Sequence, residues 1–146
     1  MIKTEFRCNC PISTALDVVG DKWSIIIIKQ MLIEGKKTFK DFIESDEAIA
    51  TNILSSRLKM LEEFKLITKG KLPENKKTNI YTLTDKGLDL MPVIVELSLW
   101  SDKHMRDFHP ELYSGDTIDV IRQDKTTYIK NTIRKYKAEN FTELND

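Results

Sequence analysis

Apolar residues recur every three or four positions through most of the chain, the spacing that buries one face of a helix. This pattern predicts helices over residues 11–19, 22–32, 50–64 and, after a Thr38 cap, a short helix with Phe39, Phe42 and Ile43 facing inward. Gly20 and Gly35 are expected to end the first two helices. The isoleucine run at 25–28 also suits a buried strand, but the apolar positions continue through residue 32 and favour a helix.

A change of period follows the fourth helix, whose leucines recur at 54, 58 and 61. Residues 67–72 and 78–84 alternate as strands do, and the turn-forming residues 73–77 join them into a hairpin. Two helices joined by a short turn and followed by a hairpin predict a winged helix-turn-helix, a mainly α fold with a small β-hairpin wing.

The C-terminal half is predicted to be helical. Residues 85–108 read as one long helix, with Pro92 early enough to be tolerated with a kink at most. Because this helix is apolar almost all round, it needs cover on more than one side, and a second chain is the expected cover. After Gly115, residues 116–137 predict a last helix with a stripe of Ile118, Ile121, Ile129, Ile133 and Tyr136, and the tail from Ala138 is expected to fray.

We therefore expect residues 1–109 to form the winged helix-turn-helix with its dimerisation helices, and residues 110–146 to be a C-terminal helical extension of the same domain. The composition is compatible with this fold, since 32% of the 146 residues are charged and the formal net charge is +0. A balanced charge argues against non-specific coating of nucleic acid but permits a local basic face. The apolar run at 23–28 is far shorter than the ~20 residues of a membrane span, and residues 1–10 hold no apolar leader segment. A cytoplasmic protein without membrane contact is expected.

The first half of the fourth helix carries the side chains best suited to contact bases. In a helix-turn-helix, the second helix enters the major groove of DNA and its N-terminal half meets the base edges. Small and hydrogen-bonding side chains occupy those positions: Ala50, Thr51, Asn52, Ser55 and Ser56, with Lys59 one turn on. Asparagine can pair bidentately with adenine, and lysine can reach guanine or phosphate. The alternative is a solvated face with a helix cap.

The predicted wing is rich in lysine. Lys69, Lys71, Lys76 and Lys77 cluster on it, and only Glu74 opposes them. Such a hairpin can neutralise phosphates beside a minor groove. The alternative is a lysine-rich surface that serves solubility or protects a strand edge.

The two cysteines, Cys8 and Cys10, lie just before the first helix. If Pro11 opens that helix, Cys10 occupies its N-cap, where the helix dipole stabilises a thiolate and lowers the thiol pKa. An accessible thiolate is the first target of oxidants and electrophiles. The alternative is a cysteine pair without a role. A zinc site is not expected, because Cys-x-Cys lacks the usual two-residue gap and His104 and His109 lie five apart. The sequence has no glycine-rich phosphate loop and no GxSxG motif, so we expect a protein that is not an enzyme and that binds no cofactor.

Several motifs together resemble the HxlR-type transcriptional regulators, bacterial winged-helix proteins akin to the MarR group. The resemblance covers roughly residues 8–104 and rests on Cys10-Pro11, Leu16, Gly20-Asp21-Lys22-Trp23, Phe39, Leu54-Ser55-Ser56-Arg57-Leu58, Leu61-Glu62, Leu66-Ile67 and Tyr81-Thr82-Leu83-Thr84-Asp85-Lys86-Gly87. It implies a homodimer, joined through its N- and C-terminal helices, that binds a pseudo-palindromic operator in double-stranded DNA.

The same resemblance assigns roles to particular residues. It makes Arg57 a phosphate or structural contact, and it makes Cys10 the cysteine that in several members senses quinones, aldehydes, disulfide stress or hypochlorite. Cys8 is an additional cysteine that would be a resolving thiol or have no role. The segment after Gly115 is longer than in many members.

Two other functions stay open at the level of the sequence. A regulator of the same fold could instead be gated by a small apolar ligand near Trp23 and Trp100, with passive thiols. A winged helix could also serve only protein–protein contacts.

Overall fold

The computed structural model describes residues 5–113 and 115–141. Its helices and strands follow the chain as α1 (Pro11–Val19), α2 (Ser24–Leu32), α3 (Phe39–Ile43), α4 (Thr51–Glu63), β1 (Ile67–Leu72), β2 (Asn75–Leu83), α5 (Asp85–Leu88), α6 (Met91–His104), α7 (Asp116–Gln123) and α8 (Lys125–Phe141). The predicted fold class, mainly helical with one antiparallel hairpin, is confirmed. The chain divides into two compact units, Met1–Leu88 and Asp89–Asp146. The division expected at residues 109/110 stays a prediction.

The predicted start of α3 is confirmed in detail. The Thr38 hydroxyl accepts the Asp41 N–H at 3.1 Å, and the Asp41 carboxylate accepts the Thr38 N–H at 3.1 Å, so the two residues form a capping box. Helix α2 starts at Ser24, later than predicted, because the Asp21 carboxylate accepts the N–H groups of Trp23 and Ser24 at 3.0 Å and caps the helix there. Gly35, with a φ of 70°, lies two residues beyond the C-cap residue Ile33.

Side chains from α2, α3, α4 and the hairpin form the core of the first unit. Its buried members include Ile27, Ile28, Met31, Phe42, Leu54, Leu58, Leu61, Ile67 and Leu83. The leucine stripe predicted for α4 is confirmed. The prediction that Phe39 faces inward is wrong, since Phe39 is 37% exposed. It is the first residue of a five-residue helix, and its side chain lines surface grooves beside Tyr81.

The hairpin has a shorter turn than predicted. Its register pairs Ile67 with Leu83 and Lys71 with Asn79, but Leu72 pairs with Asn75, so residues 76–78 form a bulge within β2. The Asn75 side chain accepts the Lys77 N–H at 3.1 Å and donates to the Thr78 hydroxyl at 3.0 Å. These local hydrogen bonds stabilise the bulge, and they place residues 76 and 77 in β2 instead of in the turn.

Side chains that follow β2 donate hydrogen bonds to backbone carbonyls at the end of α4. The Thr84 hydroxyl donates to the Lys65 carbonyl at 2.7 Å, and the Lys86 ammonium donates to the Phe64 carbonyl at 2.7 Å. Gly87 is buried against the backbone that leads into β1. A Cβ at this position would lie 2.3 Å from the Leu66 carbonyl oxygen. The Thr-x-Lys-Gly motif is therefore structural.

Two helices predicted to be continuous are each divided. The predicted helix over residues 85–108 breaks between α5 and α6, because Pro92 has no N–H to donate to the Leu88 carbonyl and its ring would clash there. The predicted helix over residues 116–137 breaks at Asp124, whose extended φ of −157° ends α7. The Asp124 carboxylate then accepts the Thr127 N–H at 3.1 Å at the start of α8.

Helices α6, α7 and α8 pack on one another in the second unit. Ile121 and Tyr136 of the predicted stripe are buried, and Ile118, Ile129 and Ile133 are half-buried. Helix α8 continues through Ala138 to Phe141, so the prediction that the chain frays from Ala138 is wrong for these four residues. The rest of the predicted tail, residues 142–146, lies outside the described residues. Within the described residues, no helix is long and apolar enough to cross a membrane.

The Gly87→Ala variant should lose about 2 kcal/mol of unfolding free energy or more, because its methyl group must displace the Leu66 carbonyl. The matched control is Gly70→Ala, since a Cβ at Gly70 has no atom within 4 Å and an alanine there restricts the unfolded chain. Urea unfolding measures both variants. Equal midpoints for the two would contradict the close approach at Gly87.

Candidate nucleic-acid interface

Helix α4 presents one apolar face and one polar face. Its leucines are buried, and the residues predicted to meet DNA are exposed: Ala50, Thr51, Asn52, Ser55, Ser56 and Lys59. Ala50 is the N-cap residue, with an extended backbone (φ −64°, ψ 142°), and no side chain caps the helix. The sequence-predicted positions thus lie together on a single surface that a DNA groove can approach.

Arg57 differs from its neighbours because it is half-buried. Its guanidinium lies 3.7 Å from an Asp21 carboxylate oxygen and donates to the Ser56 hydroxyl at 3.2 Å. Burial alone would raise the pKa of the Asp21 carboxyl, but hydrogen bonds from Ser24 and Trp23, together with the Arg57 charge, hold that pKa below its ordinary value. Arg57 therefore ties α4 to the cap of α2, which fits the structural role among the two that the resemblance implied.

Lysines of the hairpin lie on the surface beside α4. Lys69 pairs with Tyr81 across the hairpin, and its ammonium lies 4.0 Å from the Glu62 carboxylate of α4. A groove of about 520 Å³ between α4 and the hairpin is lined by Ser55, Lys59 and Lys69, among others. The structure therefore brings these three predicted residues together.

The remaining predicted lysines are Lys71, Lys76 and Lys77, and all three are exposed. Lys77 lines a second groove, of about 770 Å³, together with Thr51 and with residues that the sequence reasoning missed, Thr38, Lys40 and Asn79. The strand register of the hairpin would have indicated Asn79 as a residue of this surface, because Asn79 pairs with Lys71 across the two strands. For Lys40, the sequence offers no pattern other than its positive charge that would place it in this groove.

Both cysteines are free and exposed. Cys10 is the predicted N-cap residue of α1, although its side chain makes no formal capping hydrogen bond. The N–H groups of Ser13 and Ile12 favour its thiolate and lower the pKa of Cys10. The pKa of Cys8 is also lowered, chiefly by the Ser13 hydroxyl and then by the Cys10 N–H. Ser13 thus serves both thiols, which the sequence reasoning missed.

In the part of the chain that the structure describes, His, Cys, Asp and Glu side chains form no cluster of three or more. His104 lies against the Trp100 ring, with 5.5 Å between ring centroids.

A helix-turn-helix with an exposed polar recognition helix and a lysine-bearing hairpin defines the class of winged helix-turn-helix DNA-binding proteins. Residues 18–108 match the model of the family described as HxlR-like helix-turn-helix. The chain belongs to this family, and it is a transcriptional regulator of that type.

Relatives of known description support the assignment. The chain is 37% identical over 95 residues to the HTH-type transcriptional regulator YodB of Bacillus subtilis (strain 168), covering 64% of this chain and 84% of YodB. It resembles the redox regulator HypR in its oxidized form, with a TM-score of 0.58 at 29% identity, over 65% of this chain and 97% of HypR. It also resembles quinone-bound YodB from B. subtilis, with a TM-score of 0.54 at 33% identity, over 64% and 99% of the two chains.

The thiol of Cys10 should ionise at a lower pH in the folded protein than in the unfolded chain, because the N–H groups of α1 favour the thiolate only when the helix is present. The rate of alkylation by iodoacetamide against pH measures this in Cys8→Ser, which leaves Cys10 as the one thiol of the chain. The same variant in urea is the control. Identical inflections in the two states would show that α1 does not activate Cys10.

Proposed function

We propose that the protein is a homodimeric, sequence-specific transcriptional regulator of the cytoplasm whose α4 reads bases in the major groove. The observation that carries this proposal is the exposed face of α4, which is small and polar from Thr51 to Lys59 while its opposite face is buried. Asn52 suits adenine, Thr51, Ser55 and Ser56 donate or accept hydrogen bonds, and Lys59 reaches guanine or phosphate. Ala50 permits close approach of the backbone. Arg57 holds α4 in place, and the hairpin lysines contact flanking phosphates.

Exposed apolar side chains support a homodimer. Helix α1 buries none of its residues, and Ile12 and Leu16 are 71% and 53% exposed. Helix α6 exposes Val93, Leu97 and Trp100, which recur at i, i+4 and i+7. A second copy would cover these faces through a two-fold interface. Two-fold symmetry then predicts a pseudo-palindromic operator with half-sites about 34 Å apart.

The thiol chemistry of Cys10 supplies a signal. A quinone would add to the thiolate, forming a C–S bond and leaving a hydroquinone ring. Diamide would take two electrons and two protons from two thiols, forming a disulfide and the reduced hydrazine. The relatives described as quinone-bound and as a redox regulator support such a switch. In this proposal, modification of Cys10 shifts α1 against the partner and changes the spacing of the two α4 helices, and Cys8 is the candidate resolving thiol.

A groove on α6 favours one alternative, a regulator gated by a small apolar ligand. The groove, of about 650 Å³, is lined by Val93, Leu97 and Trp100 with Lys103 at its edge. Trp fluorescence that responds to an added ligand but not to oxidant would favour this alternative over the thiol switch.

Base contacts and phosphate contacts should separate in a titration. Asn52→Ala should cost about 1–3 kcal/mol of affinity for the specific duplex and little for a random duplex.

The double variant Lys76→Glu with Lys77→Glu should weaken binding to both duplexes and reduce the slope of log K against log salt by about 2. Fluorescence anisotropy at several salt concentrations measures both. Equal losses of Asn52→Ala on the two duplexes would contradict base reading by Asn52.

Oxidant should release the specific duplex only when Cys10 is present. The reduced protein is titrated with the duplex upstream of its own gene and with a random duplex, before and after diamide or a quinone. We expect specific binding that collapses on treatment in the parent and persists in Cys10→Ser. Cys8→Ser is the matched control for loss of one thiol in the quinone titration, where it should respond like the parent, because a quinone adds to Cys10 alone. Binding by Cys10→Ser that collapses like the parent's would exclude the Cys10 switch.

A further inference from the structure

The carboxylate of Glu47 attaches the turn between α3 and α4 to α2. The Lys29 ammonium donates to Glu47 Oε1 at 2.8 Å, and the Gln30 side-chain amide donates to Glu47 Oε2 at 2.9 Å. Glu47 therefore uses both of its oxygens on consecutive residues of α2, three positions before the N-cap residue of α4. Two points of attachment fix the carboxylate in direction as well as in position.

The residues beside Glu47 show why this turn needs to be held. Ala48 has a φ of 52°, a left-handed conformation that a residue with a Cβ seldom adopts. Ile49 is buried in the core directly after it. The strained residue is therefore anchored on one side by Glu47 and on the other by Ile49.

The attachment lies at a buried point of α2. Gln30 is fully buried, and among the described residues its Oε1 has no hydrogen-bond partner. Glu47 is thus the group that satisfies the buried amide nitrogen. The ion pair with Lys29 lowers the pKa of Glu47, so the carboxylate stays charged at neutral pH.

Within the described residues, no side chain caps the start of α4, since the Ala50 methyl group cannot accept a hydrogen bond. The direction in which α4 leaves the core then depends on the turn before it. We propose that Glu47 is a positioning residue that sets the placement of α4 on DNA without touching DNA itself. This inference rests on the proposed function of α4.

Glu34 provides a matched control. Its carboxylate lies 3.0 Å from the same Lys29 ammonium, and its side chain is similarly exposed, but Glu34 follows α2 and has no part in the turn. Glu47→Ala and Glu34→Ala each remove one carboxylate from Lys29. Only the first should release the start of α4.

The test compares affinities for a specific duplex and a random duplex at a temperature where circular dichroism shows each variant folded. Glu47→Ala should lose about tenfold for the specific duplex, the worth of one good base contact, and less than about twofold for the random duplex. Glu34→Ala should match the parent on both. If Glu47→Ala keeps the parent's ratio of specific to random affinity, whether by losing nothing or by losing equally on both duplexes, the inference is overturned.

A conservative variant separates positioning from charge. In Glu47→Gln, the new amide oxygen can still accept from the Gln30 side-chain amide, while the NH₂ group takes the place of the oxygen that accepts from Lys29, so the variant keeps one attachment and loses the ion pair. We expect Glu47→Gln to bind within about threefold of the parent, a small fraction of the loss in Glu47→Ala. A loss as large as that of Glu47→Ala would show that the charge, and not the placement of the turn, is what matters.

Hydrogen exchange tests the same inference without DNA. The Leu54 N–H donates to the Ala50 carbonyl at 2.9 Å in the first turn of α4. Its exchange should accelerate in Glu47→Ala and not in Glu34→Ala. Unchanged exchange would overturn the inference. If the parent prefers no duplex, the proposed function fails, and the exchange rates still decide whether Glu47 positions α4.

Discussion

The contact that most constrains the first unit is the approach of Gly87 to the backbone at Leu66. A Cβ at position 87 would lie 2.3 Å from the Leu66 carbonyl oxygen, so α5 packs directly on the backbone between α4 and β1. Lys65 turns the chain there with a φ of 65°, and the Leu66 N–H closes the end of α4 on the Leu61 carbonyl at 2.9 Å. The position of the wing beside α4 follows from these contacts.

With the wing fixed beside α4, the electrostatics of that surface depend on which lysines are paired. Lys69 faces Glu62 at 4.0 Å, an exposed pair that contributes little to stability but offsets one positive charge at the groove. Lys71, Lys76 and Lys77 are exposed farther along the hairpin. A formal net charge of +0 over the whole chain is therefore compatible with a local basic surface, which is where a polyanion would be attracted.

The parts of the fold that repeat a pattern were predictable, and the parts that depend on one residue were not. The α1 bounds and the leucine stripe of α4 follow from periodicity. The break before α6 depends on the ring and missing N–H of Pro92, and the break at Asp124 and the bulge after Asn75 depend on a few local hydrogen bonds. At the candidate interface, the sequence indicated the exposed face of α4, but the long-range partners of Arg57 and Glu47 required the three-dimensional fold. The contact of the exposed α4 face with DNA stays a prediction.

The C-terminal extension changes what the apolar surface of α6 requires. Asp102, buried on α6, forms ion pairs with Arg106 of the following turn and with Arg122 of α7, so removal of Asp102 would leave two arginines without their shared carboxylate. Helices α7 and α8 pack on α6 and cover part of its apolar surface within the same chain. The sequence argument for cover by a second copy therefore applies only to the remaining stripe of Val93, Leu97 and Trp100. Because α7 and α8 lie beyond residues 18–108, which match the family, the dimer surface that we propose also depends on a segment outside that match.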